Sequence, residues 1–154
     1  MEIHYFELSE IDYDKIKYVV LLAEYKEELV LIRNKERTLW ELPGGKRDEG
    51  ESLLRAASRE LYEETGALIS ELTPYGIYSL NGSYGMILHA KILELGQLPE
   101  FEIAELKLCK SLPDELNYGE LFYGMYDRWN GIKNKGNLNK YQIKYEEESN
   151  KCAL

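Results

Sequence analysis

Between Leu42 and Ala67 the chain reads LPGGKRDEGESLLRAASRELYEETGA. Its second half consists of good helix formers without proline, and Gly66 stands where a helix stops, so a helix is predicted over 51–64. Pro43 drives Leu42 into an extended conformation. Gly44-Gly45 then permits backbone angles closed to other residues. A strand end, a glycine pair and a helix therefore follow one another in a single short stretch. Successive helical residues turn by about 100°. With Glu60 as zero, Glu64 falls at ~40° and Glu63 at ~300°, so three carboxylates share an arc of roughly 100°. Leu54, Ala57 and Leu61 lie between roughly 60° and 120°, an apolar stripe beside the acids that must pack against a sheet. Arg59 lies beside Glu63 at i,i+4 on the other flank.

The sheet is legible around that helix. Lys17 to Ala23 (KYVVLLA) is an apolar, partly β-branched run and reads as a buried strand. Lys26-Glu27 forms a tight turn, and Glu28 to Arg33 returns as its hairpin partner. Asn34 to Thr38 is a polar loop, and Leu39 to Leu42 is a short extended piece. Leu68 to Leu80 reads as a strand bent or bulged at Pro74-Tyr75-Gly76. Asn81-Gly82 is a hairpin turn, Tyr84 to Leu95 the partner strand, and Glu105 to Cys109 a further strand. A helix is predicted over Pro113–Trp129, although Gly119 and Gly124 weaken it. Strands on both sides of one central helix give an α+β fold, a sandwich with a mixed sheet. Residues 1–130 form one domain, and 131–154, rich in Asn, Lys and Glu, are expected to be a polar, partly disordered tail.

Acidic residues outnumber basic ones by 28 to 19 among 154 residues, giving a formal charge of −9. Such a surface repels a phosphate backbone, so no stable nucleic-acid complex is expected. An anionic substrate needs a local reversal of that field. The helix acids suggest how it arises. Three crowded carboxylates raise one another's pKa and destabilise the helix unless a cation binds. Hard oxygen ligands on one rigid face suit Mg²⁺ or Mn²⁺. Cys109 and Cys152 are far apart and read as free thiols of a reducing compartment. The acidic N-terminus does not resemble a signal peptide, and the longest apolar run is too short to span a bilayer, so no membrane role and a cytoplasmic location are expected. His4 and His89 have no partner spacing for zinc or a triad, and no phosphate-binding P-loop motif is present.

The spacing Gly45, five residues, Glu51, seven residues, Arg59-Glu60-Leu61, one residue, Glu63-Glu64, one residue, Gly66 fixes seven identities besides the aliphatic Leu61. Its chance occurrence in a chain this long is on the order of 10⁻⁶. It matches the Nudix box, G-x5-E-x7-R-E-U-x-E-E-x-G-U with U a bulky aliphatic residue, and the chain resembles the Nudix hydrolase superfamily. Ala67 departs from the bulky residue at the last position. Leu42-Pro43-Gly44-Gly45 and the segment from Glu102 to Leu116 are also typical of the family.

The resemblance implies an α/β/α sandwich with a loop–helix–loop motif and metal-dependent hydrolysis of a nucleoside diphosphate linked to another group. It implies that Glu60, Glu63 and Glu64 hold the metal beside the Gly44 carbonyl. Arg59 would orient a helix carboxylate, and Glu51 would assist the metal or the water. An outer carboxylate would come from Glu102, or failing that Glu105, and the general base from Glu60 or that outer acid. For the substrate, a base is expected on Tyr75, Tyr78 or Tyr84, and terminal phosphates on Arg33 or Arg37.

The short chain is similar to bacterial members that cleave nucleoside triphosphates, including 8-oxo-purine nucleotides, to monophosphate and pyrophosphate. Gly82, standing where ADP-ribose enzymes carry proline, lowers that option. Tyr84 fits a dinucleoside polyphosphate hydrolase as runner-up. An RNA 5′-pyrophosphohydrolase and a non-catalytic nucleotide-binding module are the remaining alternatives. A small-molecule nucleotide is the expected partner, and a homodimer is compatible with the aromatic surface.

Overall fold

A computed structural model describes residues 2–146. The strands are β1 (Ile3–Phe6), β2 (Ile16–Tyr25), β3 (Glu28–Asn34), β4 (Gly44–Lys46), β5 (Ala67–Leu80), β6 (Ser83–Leu95), β7 (Ile103–Cys109) and β8 (Tyr141–Lys144). Two helices, α1 (Leu53–Thr65) and α2 (Gly119–Ile132), complete the described elements, with a 3₁₀ turn at Tyr13–Lys15. The sheet runs β1-β5-β6-β2-β3-β7, with β4 also on β2 and β8 also on β5. The β2–β6 pair is parallel and the other pairs are antiparallel, so the sheet is mixed as expected.

Alternation along β2 shows why the apolar run is continuous. Val19, Leu21 and Ala23 pack with Leu54, Ala57 and Leu61 of α1. Val20 and Leu22 face the other way, with Leu121, Phe122, Met125 and Trp129 of α2. Both sheet faces are covered, so Val19 to Ala23 are buried without a break, and the polar residues Lys17 and Glu24 fall towards the strand's ends. The result is the α/β/α sandwich. The predicted bulge exists: register shifts between Pro74 and Gly76. Leu72 and Ile77 thereby face α1 although they differ in parity, while Tyr75 and Tyr78 face α2.

Strand β2 is shared between two partners. Its far end, Glu24 and Tyr25, pairs with β3, whereas Tyr18 to Val20 pair with β4. The chain between β3 and β4 therefore diverges from β2 and returns, and the fork opens towards the face that α2 covers. Both hairpin turns have left-handed residues, with φ of 51° and 82° at Asn81-Gly82, which that sequence favours, and 50° and 69° at Lys26-Glu27, where the side chains do not favour it.

Four expectations need correction. Gly44-Gly45 form a short strand on β2 and do not use the left-handed angles open to glycine. Helix α1 begins at Leu53 rather than 51, because Ser52 caps it, its Oγ accepting the Arg55 N–H at 3.2 Å. Helix α2 begins at Gly119 rather than 113. Leu116 bridges to Trp40, and the Asn117 N–H donates to the Trp40 carbonyl at 3.0 Å, so this segment is held extended. Residues 131–146 are not a disordered tail: they finish α2, turn, and add β8 to β5. Tyr145 then stacks on Tyr62 of α1, centroids 3.9 Å apart, and Arg55 donates to the Glu146 carbonyl at 3.4 Å. Short β1 was not foreseen. Cys109 has no disulfide partner among the described residues, while Cys152 lies outside them.

Candidate active site

Helix α1 presents its acids where β4 passes. Arg59 organises them, with its side chain 15% exposed. Its Nε donates to Glu51 Oε2 at 2.7 Å, and its Nη2 to Glu51 Oε1 at 3.0 Å and to the Lys46 carbonyl at 2.9 Å. Its Nη1 donates to Glu60 Oε1 at 2.8 Å and Glu63 Oε1 at 3.3 Å. All five guanidinium N–H groups are thus used, which only arginine can offer. Glu51 and Glu60 hold Arg59 above its ordinary pKa, the Glu51 hydrogen bond contributing most.

Glu51 is the principal partner of Arg59. It lies before α1, and both its oxygens are committed to Arg59, Oε1 also accepting the Asp48 N–H at 2.9 Å. Burial raises its pKa, but the Arg59 and Asp48 hydrogen bonds outweigh that, leaving it below the usual carboxylate value.

Glu60 and Glu64 behave in the opposite way. Burial pushes Glu60 up to about 7, against the pull of Arg59 and with the help of Glu63 and Glu51. Burial pushes Glu64 up to about 8; the Gly44 N–H lowers it, and Glu60, Glu41 and Glu102 raise it. The Gly44 N–H donates to Glu64 Oε1 at 2.8 Å. A Cβ on Gly45 would fall against the Glu60 carboxyl group, so glycine is what allows β4 to run this close to the helix. Glu60 and Glu63 both engage Arg59, whereas Glu64 engages the Gly44 N–H. Among the described residues no group of three or more His, Cys, Asp or Glu is gathered at metal-binding distance.

A cavity of about 510 Å³ opens beside Glu64, Gly44 and Gly45. Tyr18, Tyr78, Tyr118 and Phe122 form aromatic walls, and Arg37, Asn34, Glu41 and Glu102 bring polar groups. Of the sequence-based candidates, Gly44, Glu64, Glu102, Arg37 and Tyr78 therefore meet at one place. Arg33, Tyr84 and Tyr75 do not. Arg33 pairs with Glu105 across β3 and β7 and donates to the Arg37 carbonyl at 3.2 Å. That pairing also occupies the alternative outer acid, Glu105. Tyr84 packs edge-on against Phe6 in the cluster on the α1 face. Tyr75 is buried under α2, its hydroxyl donating to the Met125 carbonyl at 2.9 Å.

Sequence reasoning missed Glu41, Asn117, Tyr18 and Tyr118. Glu41 is 8% exposed, and its Oε2 accepts from Arg37 Nη1 at 2.7 Å and Asn117 Nδ2 at 3.0 Å. The available signal was a lone acid inside the short extended piece Leu39 to Leu42. Tyr118 caps α2 with φ of 58°, a left-handed conformation costly for tyrosine that places it at the cavity wall.

The comparisons with known proteins agree with this geometry. The NUDIX domain family model matches residues 15–110, more than half of the chain. A Bacillus subtilis (strain 168) protein with the provisional name 8-oxo-dGTP diphosphatase is 39% identical over 66 residues, covering 43% of this chain and 44% of that protein. A Rhizobium meliloti (strain 1021) RNA pyrophosphohydrolase is 50% identical over 46 residues, covering 27% of this chain and 28% of that protein. The matched stretches thus span less than half the length of these curated relatives. Among solved structures, a point mutant of the Bacillus subtilis pyrophosphohydrolase BsRppH superposes with a TM-score of 0.72 at 22% identity, over 84% of this chain and 90% of that one. A NUDIX hydrolase from Nitrosomonas europaea gives 0.62 at 28% identity, over 79% and 76%. The chain belongs to the NUDIX family.

Proposed function

We propose that the protein hydrolyses a nucleoside triphosphate, including an oxidised one, to the nucleoside monophosphate and pyrophosphate, with Mg²⁺ or Mn²⁺ bound at the carboxylates of α1. The observation that carries this reading is the junction of two unlike surfaces. Glu64, Gly44 and Gly45 form the acidic side of a cavity whose other walls are tyrosines and a phenylalanine. A cavity of this size suits a nucleoside, and the acids lie where its phosphates would emerge.

The residues fit a divalent ion. Glu60 and Glu64 are carboxylates held above their ordinary pKa by burial, and no ion pair of Glu64 is present among the described residues. Such a pair of hard oxygen donors is stabilised by a cation. Glu63, 32% exposed, and Glu102, on the cavity wall, would complete the set. When bound, the ion supplies charge neutralisation on phosphate oxygens and a water of lowered pKa. Arg59 keeps Glu60 and Glu63 in place, the Gly44 N–H orients Glu64, and Glu60 or Glu102 would take up the proton of the attacking water. Tyr78 and Tyr118 flank the base, and Arg37, 45% exposed, offers its remaining N–H groups to phosphate oxygens.

A second reading, removal of pyrophosphate from RNA 5′ ends, is favoured by the name of the Rhizobium meliloti relative. The formal charge of −9 argues against a long RNA footprint. The dinucleoside polyphosphate reading loses its residue, because Tyr84 packs on the opposite sheet face. The test is product analysis with Mg²⁺ on nucleoside triphosphates, dinucleoside polyphosphates and a 5′-triphosphorylated oligonucleotide, comparing the protein with Glu63→Gln and Glu64→Gln. Monophosphate plus pyrophosphate, lost in both variants, supports the reading. Inertness of all three proteins across the panel overturns it, and strong preference for the oligonucleotide moves the assignment to RNA.

A further inference from the structure

The Nudix box fixes Gly45 and Glu51 and leaves the five residues between them open, yet those residues carry the grip on Arg59. The Lys46 carbonyl and both oxygens of Glu51 take three of the five Arg59 N–H groups. Asp48 closes the loop onto Glu51, its N–H donating to Oε1 at 2.9 Å and its carbonyl accepting the Glu51 N–H at 3.1 Å. The outer edge of this loop has little support. Asp48, Glu49 and Gly50 are exposed. Gly50 is left-handed, with φ of 77°, and nothing but its chain neighbours lies within 4 Å of where a side chain would begin.

Arg47 holds the loop from the other side. Its N–H donates to the Lys17 carbonyl at 2.8 Å, near the start of β2. Its guanidinium spans a groove between the loop and the 3₁₀ turn, Nη2 donating to the Tyr13 carbonyl at 2.9 Å and to that of Asp14 at 3.4 Å. Hydrogen bonds from a cation to carbonyl oxygens are stronger than neutral ones. The far end of the link is firm, because Ile16, directly after the turn, is fully buried in the core that Leu54, Ala57 and Leu61 of α1 share. Among the described residues that line the nucleotide cavity, none belongs to the turn, and Arg47 is not one of them.

We propose that Arg47 is a positioning residue for Arg59. By fastening the loop to the 3₁₀ turn it keeps the Lys46 carbonyl and Glu51 where they grip Arg59, and Arg59 in turn orients Glu60 and Glu63. The step from Glu60 and Glu63 to a cation rests on the reading above, whereas the step from Arg47 to Arg59 does not. Opening of the loop releases three Arg59 hydrogen bonds together, and local openings of this kind need far less free energy than global unfolding.

Two variants test the role. Arg47→Met keeps the aliphatic stem and removes every side-chain donor, and Arg47→Lys keeps the charge and a donor. The first readout, in EDTA, is solvent exchange of the Arg59 Nε proton by ¹⁵N NMR, the resonance being assigned by its loss in Arg59→Lys. The second is Mn²⁺ affinity by electron paramagnetic resonance without nucleotide. The third is kcat and KM for a nucleoside triphosphate over a range of Mg²⁺ concentrations. In Arg47→Met the Arg59 proton is expected to exchange about tenfold faster or more. Mn²⁺ affinity is expected to fall about threefold to tenfold, less than for a residue that touches the ligands directly. Turnover should fall at limiting Mg²⁺ and recover at high Mg²⁺, with KM within about twofold because the cavity is untouched. Arg47→Lys should recover most of each loss. Should Arg47→Met fold poorly, Arg47→Gln, which keeps one donor group, replaces it with the same expectations. Arg59 exchange within about twofold of wild type in a folded variant overturns the proposal. So does a lowered melting temperature with exchange and Mn²⁺ affinity unchanged, which would make Arg47 a brace for the fold alone. If Arg59 exchange accelerates but wild type binds no Mn²⁺, the cation reading fails and the hold of Arg47 on Arg59 stands.

Discussion

Replacing Glu64 by glutamine separates what the acid helix does for the fold from what it does for chemistry. The carboxyl group of Glu64 is pushed up to about 8 from an ordinary value of 4.5, chiefly by burial. A folded-state pKa above the unfolded one means that the fold prefers the neutral form. The stability contributed by the neutral group is fully present below pH 4.5 and declines as pH rises through about 8. The gap sets a ceiling of about 5 kcal/mol at roughly 1.4 kcal/mol per pKa unit. Coupling to Glu60 and water at the cavity mouth reduce this to about 2–4 kcal/mol at pH 8. Glutamine carries no charge, fills the same volume and can still accept the Gly44 N–H.

In EDTA at pH 8, Glu64→Gln is therefore expected to melt roughly 5–15 °C above wild type, using about 2–4 °C per kcal/mol for a chain of this length. The difference should shrink to nearly nothing at pH 4.5, where both side chains are neutral. Millimolar Mg²⁺ should raise the wild-type melting temperature and close the gap at pH 8, while leaving the variant unmoved. Thermal melts at the two pH values, with and without Mg²⁺, read all four quantities. A variant no more stable than wild type at pH 8, or equally more stable at both pH values, would refute the electrostatic reasoning.

Three further outcomes follow from the same geometry. Arg59→Lys keeps one charge but loses the five-donor fork, so it is expected to cost about 2–4 kcal/mol by chemical denaturation and to lower kcat by at least tenfold. Glu102→Gln should lower turnover tenfold or more, whereas Glu105→Gln, whose acid is engaged by Arg33 outside the cavity, should leave turnover within about twofold and stability within about 1 kcal/mol; equal effects on turnover would show that the outer acid is misassigned. Tyr62→Ala removes the ring on which Tyr145 stacks and should cost about 0.5–1.5 kcal/mol beyond the lost burial, with earlier hydrogen exchange of β8 than of β6.

The helix and its acids were readable because a 3.6-residue period and a fixed spacing of charged residues are local properties. The two hairpin turns and the bulge at Pro74-Tyr75-Gly76 were readable for the same reason. The parts that were not readable depend on partners remote in sequence. The β4 assignment of Gly44-Gly45 needs β2 beside it. The late start of α2 comes from Asn117 and Leu116 being held by Trp40. Strand β8 is polar enough to resemble a tail, and it is ordered only because β5 offers an edge and Tyr62 a ring. The same limit applies to the site. Arg37 and Tyr78 line the cavity, whereas Arg33 and Tyr84, offered for the same tasks, are turned away from it by strand alternation. Glu41 went unseen because a single acid has no spacing pattern, and its meaning appears only when Arg37, Asn117 and the cavity surround it.

The central claim is that the buried carboxylates of α1 exist to bind a divalent cation. It is tested most directly by Mn²⁺ titration followed by electron paramagnetic resonance at pH 7.5, with wild type and a Glu60→Gln/Glu64→Gln double variant, each with and without a non-hydrolysable nucleoside triphosphate. The expected result is saturable Mn²⁺ binding by wild type, tightened by the nucleotide and weakened at least tenfold in the double variant. Equal Mn²⁺ affinity in the two proteins, in both conditions, would contradict it.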